Sequence, residues 1–291
     1  MPIISTLGLA GGQGKTTVAL MLGRYLGRLG IPVLFIDADP QSSLSAFLGI
    51  DLQQNQPTLL EVITLSDAKL SVVDAIVQVP PTTEKQMTDN SNLFLIPADD
   101  GLEAANYKLA AGGMSLFALR QRLEPLEPEF GVIIIDPPPE RSHLAQTALG
   151  AADKWLIPAE ASTKGVQSLV RTLALIEEFK SALPGRELLG VVPFRAKWVG
   201  RQPTKITRSS IEAMSTVAGV DLMLPHILES DVFKQAIDRQ VSPTDLGAGH
   251  LEYPIEQIIL KLKLSLATKY QKLINLWAWS MTSKIVNLNQ P

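Results

Sequence analysis

The chain has 291 residues, 46% of them apolar, and a formal net charge of −3 at pH 7, which describes one globular domain, or one domain with an appended helical element. It contains no cysteine, so disulfides, thiolate-bound metals and cysteine nucleophiles are excluded. A net negative charge offers nucleic acid no global attraction, and any such contact must come from a local basic patch.

In chain order, residues 3–7 are a short apolar, partly β-branched run that reads as a buried strand. The following segment, Gly8-Leu9-Ala10-Gly11-Gly12-Gln13-Gly14-Lys15-Thr16-Thr17, has three glycines in four positions, so successive backbone N–H groups can face one point. Lys15 adds a positive charge there, and Thr16 a hydroxyl suited to a phosphate-bound Mg²⁺. A nucleoside triphosphate is the natural ligand of such a loop. Val18, Leu22, Tyr25, Leu26 and Leu29 recur at helical spacing, with Gly30 placed to end the helix. A merely flexible turn is the alternative, but Gly-Lys-Thr at a strand-to-helix junction argues against it.

Val33–Asp37 predicts a second strand, followed by Ala38-Asp39-Pro40-Gln41. Asp37 and Asp39 either serve chemistry or begin a turn and cap a helix over 42–48. Leu59, Leu60, Val62 and Ile63 suggest a short helix, and Pro80-Pro81 with the polar run 82–91 a surface loop. Residues 93–97 predict a strand, and 102–123 a helix frayed at Gly112-Gly113. The hydrophobic run 130–135 delivers Asp136 at its end, before Pro137-Pro138-Pro139 stiffen the turn. Parallel strands gather their C-terminal ends, so Asp136 is expected near Thr16. A turn-forming aspartate is the alternative there.

Next come a helix over 143–149, a strand over 155–158 and a helix over 166–183, with Lys164 in the loop between the last two. Strand 188–194 leads into 195–208, which holds five cations, Arg195, Lys197, Arg201, Lys205 and Arg208, and no acid. Such a run suits contacts to a phosphate backbone, or is only a solvated face; Trp198 within it could stack on a base or pack on the body. Residues 231–239 and 244–247 read as short helical or turn pieces. Pro254 is placed to start a helix to about residue 281, with Ile255, Ile258, Ile259, Leu262, Leu266, Leu273, Leu276 and Trp277 spaced along one face. Lys261, Lys263, Lys269 and Lys272 with Trp277 and Trp279 are compatible with a membrane-surface helix. Leu260, Leu264 and Ile274 widen the apolar face and favour packing on the domain or on a partner. The domains expected are therefore a P-loop domain over 1–250 and this C-terminal helix over 251–291. The three histidines, His143, His226 and His250, have no metal-ligand spacing. No basic leader precedes the first strand and no apolar run reaches the roughly 18 to 20 residues of a membrane span, which predicts a cytoplasmic protein.

The glycine-rich loop, Asp37-Ala38-Asp39-Pro40-Gln41 and the aspartate–proline segment 136–139 together resemble the ParA/MinD family of partitioning ATPases, over about residues 1–240. That resemblance implies a doubly wound, mostly parallel α/β sheet with ATP and Mg²⁺ at the C-terminal strand ends. It implies ATP hydrolysis, slow and stimulated by a partner. Nucleotide contacts then fall to Gly11, Gly12, Gln13, Gly14, Lys15, Thr16 and Thr17, with Arg195 beside the adenine; residues 221–225 resemble the family's final strand, with Pro225 and the loop to Ser230 bordering the adenine. Lys15 and Asp39 take the catalytic roles, Asp39 by orienting the attacking water, and the metal-site residues are Thr16, Asp39 and Asp136. The family loop normally carries a further lysine that reaches across an ATP-dependent homodimer; here that position is Ala10, and Leu9 stands where the common P-loop begins with glycine. Lys164 is the candidate replacement, since Lys154 begins its strand and is expected to face the opposite edge. Lys197, Arg201, Lys205 and Arg208 are the expected contacts to nonspecific DNA. The alanine at the signature position also resembles the branch that distributes carboxysomes on the bacterial nucleoid through an adaptor protein on the cargo. A MinD-like membrane regulator and a nucleotide switch with little hydrolysis are the alternatives. The lack of cysteine separates the chain from cluster-binding and amidotransferase relatives.

Overall fold

The computed structural model describes residues 1–66, 68–81, 90–112, 115–126, 128–263, 266–268 and 270–275. Nine strands lie among them: β1 (Ile3–Thr6), β2 (Val33–Asp37), β3 (Val77–Gln78), β4 (Leu93–Ile96), β5 (Val132–Asp136), β6 (Lys154–Glu160), β7 (Glu187–Phe194), β8 (Trp198–Val199) and β9 (Gln202–Pro203). The α-helices are α1 (Lys15–Arg28), α2 (Ser43–Phe47), α3 (Leu59–Thr64), α4 (Ala105–Ala111), α5 (Ala118–Leu123), α6 (His143–Ala151), α7 (Thr163–Phe179), α8 (Lys205–Ala218), α9 (Asp231–Asp238) and α10 (Tyr253–Leu262).

The main sheet has the order β3-β4-β2-β5-β1-β6-β7 and is parallel except for β3, an unanticipated edge strand antiparallel to β4. Its central runs are apolar at successive positions because both faces are covered. Ile4, Phe35 and Ile134 enter one core layer with α1 and α10, while Ile3, Ile36 and Ile135 enter the other, beneath helices that include α4, α6 and α7. This period of two sends neighbours in each strand to opposite layers. Helix α1 approaches the first face so closely that a Cβ on Gly23 would lie 2.0 Å from the Phe35 ring.

Three expected elements differ. The helix expected over 102–123 is a 3₁₀ segment, Asp100–Ala104, followed by α4 and, separately, α5. Gly112 and its neighbour Gly113, the latter outside the described residues, are poor helix formers, and α5 is secured independently where Leu119 N–H donates to Thr147 Oγ1 at 3.0 Å. The strand expected over 221–225 is a 3₁₀ turn, Val220–Leu222, after which the chain makes isolated bridges beside β7, Val191 to Met223 and Ala196 to Leu228. Pro225 has no N–H to give a ladder there. The long final helix ends at Leu262, and residues 266–267 are not helical. Ile255, Ile258, Ile259 and Leu262 lie in the core layer of α1, followed by Leu266, Tyr270 and Ile274. Lys269, Leu264, Leu276, Trp277, Trp279 and the expected helix end fall outside the described residues, as do residues 82–89 of the expected loop.

Candidate functional site

The site grows out of the strand ends. β2 and β5 pair in register with Asp37 opposite Asp136, so two carboxylates finish neighbouring central strands. β1, on the other side of β5, runs into the glycine-rich loop. Gly14 precedes α1 in the left-handed region, φ 94°, and a Cβ there would come within 2.6 Å of the Phe194 ring at the end of β7. Only glycine satisfies both demands. Gln13 is buried and accepts the Glu160 N–H at 3.0 Å through Oε1, and Leu9 N–H donates to Thr172 Oγ1 at 3.1 Å. The loop is thus pinned from two sides by β6 and α7, with Gly11 and Gly12 left exposed over it.

Lys15 is buried, and desolvation lowers its pKa against the opposing pull of Asp136, Asp39 and Glu140. Burial pushes the Asp136 carboxyl up to about 6, although the Lys15 charge and hydrogen bonds from Thr16 and Thr6 favour its ionised form. The Thr6 hydroxyl donates to Asp136 Oδ1 at 3.2 Å. Asp37 is raised to about 7 by burial and then by the charge of Asp136. Its Oδ2 accepts both the backbone N–H and the hydroxyl of Ser45, at 2.8 and 2.7 Å, and Ser45 Oγ in turn accepts Ala98 N–H at 3.3 Å. Asp37 therefore braces α2, the capping alternative of the two readings. Asp39 stands further out, accepts Gln41 N–H at 3.0 Å, and faces the cleft.

That cleft, about 280 Å³, is lined by residues 11–17 of the loop, Asp39, Ser43, Phe47, Pro139, Phe194 and Arg195. A second cleft of about 420 Å³ shares Thr17, Phe194 and Arg195 with it and continues along Leu228, Glu229, Ser230, Asp231, Phe233 and Lys234. The pair offers a cradle of backbone N–H groups with a buried ammonium at one end and a longer compartment at the other, the shape of a phosphate chain with a base attached. A hydroxyl beside a carboxylate, Thr16 with Asp136, is hard-oxygen chemistry. Among the described residues no group of three or more His, Cys, Asp and Glu converges into a closed metal cage. This fits an ion such as Mg²⁺, which keeps several waters and is shared with substrate phosphates.

Of the residues expected from sequence, Gly11, Gly12, Gln13, Gly14, Lys15, Thr16, Thr17, Asp39 and Arg195 line the first cleft, and Asp136 contacts Thr16 from below. Pro225 lines neither cleft; residues 228–231, a few positions later, do. Lys164 is exposed in the first turn of α7, not in a loop, because the Ser162 hydroxyl caps the helix by accepting Gly165 N–H at 3.2 Å. It too lies outside both clefts. Lys154 begins β6 at the opposite sheet edge and pairs with Glu187. Lys197, Arg201, Lys205 and Arg208 are exposed, Lys197 paired with Glu229 at 3.5 Å. Sequence reasoning missed Thr6, Ser45 and Phe194 as supports; Thr6 and Phe194 are signalled only by ending β1 and β7, and Ser45 only by its place in the first turn of α2.

Comparison with known proteins gives a family match, two related proteins and one similar solved structure. A family model described as an AAA domain matches residues 1–184. The chain is 48% identical over 264 residues to the maintenance of carboxysome distribution protein A of Synechococcus elongatus, covering 90% of this chain and 99% of that protein. It is 34% identical over 185 residues to the chromosome partitioning protein ParA of Caulobacter vibrioides, covering 62% of this chain and 65% of that protein. Among solved structures, an ATP complex of a Cyanothece McdA variant is similar with a TM-score of 0.83 at 43% identity, covering 90% of this chain and 96% of that one.

Proposed function

The chain belongs to the ParA/MinD-type family of ATPases, alongside the carboxysome-distribution proteins, and from that premise we propose that it hydrolyses ATP to position carboxysomes in the cytoplasm, over the nucleoid. ATP joins two copies into a homodimer, the dimer holds nonspecific DNA, and an adaptor on the cargo stimulates an otherwise slow hydrolysis. One observation carries the reading: three different segments converge on the glycine cradle, Lys15 and Thr16 from the loop and α1, Asp39 from beyond β2, and Asp136 from the end of β5 beneath Thr16.

The residues divide the work by position. Backbone N–H groups of residues 11–16 and the Lys15 ammonium take the phosphates, in a buried setting where charge is worth more than in water. Arg195 and the wall at 228–231 border the base. Thr16 and Asp136 hold Mg²⁺, which neutralises phosphate charge when bound. Asp39, at the cleft wall with its carboxylate fixed by the Gln41 N–H, orients a water in line with the outer phosphorus, the main demand of phosphoryl transfer. Lys164 is exposed and outside its own chain's clefts, which suits a cation that serves the partner copy in place of the lysine missing at Ala10. Lys197, Arg201, Lys205 and Arg208 meet the DNA phosphates. Among the described residues no helix is long and apolar enough to cross a membrane.

The test measures ATP turnover and DNA gel shifts with ATP, ADP or no nucleotide, at two salt concentrations. Wild type should hydrolyse ATP and retard unrelated DNA sequences only with ATP, more strongly at low salt; Asp39→Ala should keep ATP and DNA binding while turnover falls about 10² to 10⁴-fold. Turnover unchanged in Asp39→Ala overturns the catalytic assignment, and binding indifferent to nucleotide overturns the switch.

A further inference from the structure

The hairpin beyond the second cleft leaves large apolar side chains in solvent. β8 and β9 are two residues each, joined through Gly200 and Arg201, with Gly200 at φ 61° as a two-residue turn demands. Trp198 is 41% exposed, Val199 75% and Ile206 66%. None of them serves the core. Yet the unit is firmly held: Lys197 N–H donates to Thr207 Oγ1 at 3.1 Å, Thr204 N–H donates to Lys197 O at 2.9 Å, and Thr204 caps α8. Trp198 is also fixed in orientation, its ring stacked on His226 at 5.6 Å between centroids with 20° between planes. Inward on α8 lie Thr207, Ser210 and Met214. Lys205, Ile206 and Arg208 therefore look outward, on the same unit as exposed Arg201.

We propose that residues 198–208 bind DNA through its bases as well as its phosphates, with Trp198 stacking on an unpaired base while Arg201, Lys205 and Arg208 hold the flanking backbone. This rests on the DNA-binding part of the function above and deepens it: the preferred ligand is single-stranded or locally opened DNA. A ring already backed by a second ring offers a rigid flat plate, to which a base adds as the next layer. A bilayer surface would take up the same apolar atoms without needing the ring held flat.

The full-length protein, with ATP, is titrated against labelled oligo-dT and a duplex of equal length across a salt series, and against vesicles containing anionic lipid. Trp198→Ala should weaken oligo-dT binding about 5- to 100-fold with the salt slope unchanged, Trp198→Phe should retain most of the affinity, and Arg201→Ala should reduce the slope by about one. ATP turnover of Trp198→Ala should match wild type, which shows that the fold is intact. If wild type binds duplex and Trp198→Ala binds oligo-dT equally well, the stacking contact is wrong and the DNA reading stands. If wild type binds neither DNA in any nucleotide state, both fall together. A Trp198→Ala defect confined to vesicle binding would assign the unit to membranes and overturn the inference.

Discussion

On either side of Arg195 lie two regions built on opposite terms. The phosphate end is made of backbone and of side chains taken out of water: Lys15, Asp37 and Asp136 are buried, and Gly14 is wedged over Phe194. The basic rim at 197–208 is made of exposed side chains on a hairpin and a helix. Desolvated groups interact strongly and tolerate no loss of a partner, while solvated ones each contribute little and substitute for one another. The difference predicts steep, specific mutational effects at the first region and shallow, additive ones for the solvated cations of the second.

Lys164 is the place where that contrast breaks if the proposed homodimer forms, because it is exposed in the single chain and yet assigned to chemistry. Lys164→Ala should lower ATP turnover by about 10³ to 10⁵-fold, the scale of a lost trans cation, with nucleotide binding by the isolated chain unchanged. Normal turnover would return Lys164 to the solvated surface and favour a different replacement for the residue missing at Ala10. Gly14→Ala sharpens the contrast from inside the cradle. Its left-handed φ strains any larger residue by about 1 to 3 kcal/mol, and the 2.6 Å approach to Phe194 forces that ring to move as well. ATP affinity measured by calorimetry should fall at least tenfold; wild-type affinity would mean that the ring yields freely. At the rim, Lys205→Ala should weaken DNA binding only a few-fold, uniformly across sequences, and lower the salt slope by about one. A larger or sequence-dependent loss would make the rim a site of the first kind.

The same contrast governs what the sequence discloses. The cradle, Asp39 and Asp136 are legible because backbone geometry and strand termination demand particular residue types at particular spacings: glycines before Lys15, a carboxylate after an apolar run. The sheet is legible because strands buried on both faces read as unbroken apolar stretches. Helix α8 is less legible, since Thr207 and Ser210 stand among its inward residues and its first turn lies in a basic run, which masks the weak apolar spacing of Ile211, Met214 and Ala218. The end of α10 at Leu262 does not show, because apolar spacing continues past it into a separate segment that packs Leu266, Tyr270 and Ile274 in the same layer. Periodicity reports which residues are inward, and cannot report whether one helix or two carry them. The base-side wall is reached only through the family resemblance, which puts the loop from Pro225 to Ser230 beside the adenine; the cleft takes Leu228, Glu229, Ser230 and Asp231 and leaves Pro225 out, because side-chain placement there follows from how the chain bridges beside β7 rather than from any motif.

Asp37 offers the finest test, since it lies in the unforgiving region and its carboxylate braces α2 through Ser45. Its carboxyl titrates at about 7 in the fold because of burial and then the charge of Asp136, against about 3.9 in an unfolded chain. Between those values the folded protein keeps a proton that the unfolded chain has released, so stability declines as pH rises through this window and changes no further above it. Asp37→Asn carries no such proton, while its amide oxygen can still accept Ser45 N–H. The two proteins should therefore be close in stability near pH 4, where both side chains are neutral, and diverge in favour of the variant as pH approaches 8. Asp136, raised to about 6 mainly by burial, is present in both, so the difference between the two curves reports Asp37 together with its coupling to the Asp136 charge. Urea unfolding of the nucleotide-free proteins at several pH values between 4 and 8 reads that difference directly. Parallel curves would mean that water reaches Asp37, and that the boundary of the buried region runs between the two neighbouring strand tips rather than outside them both.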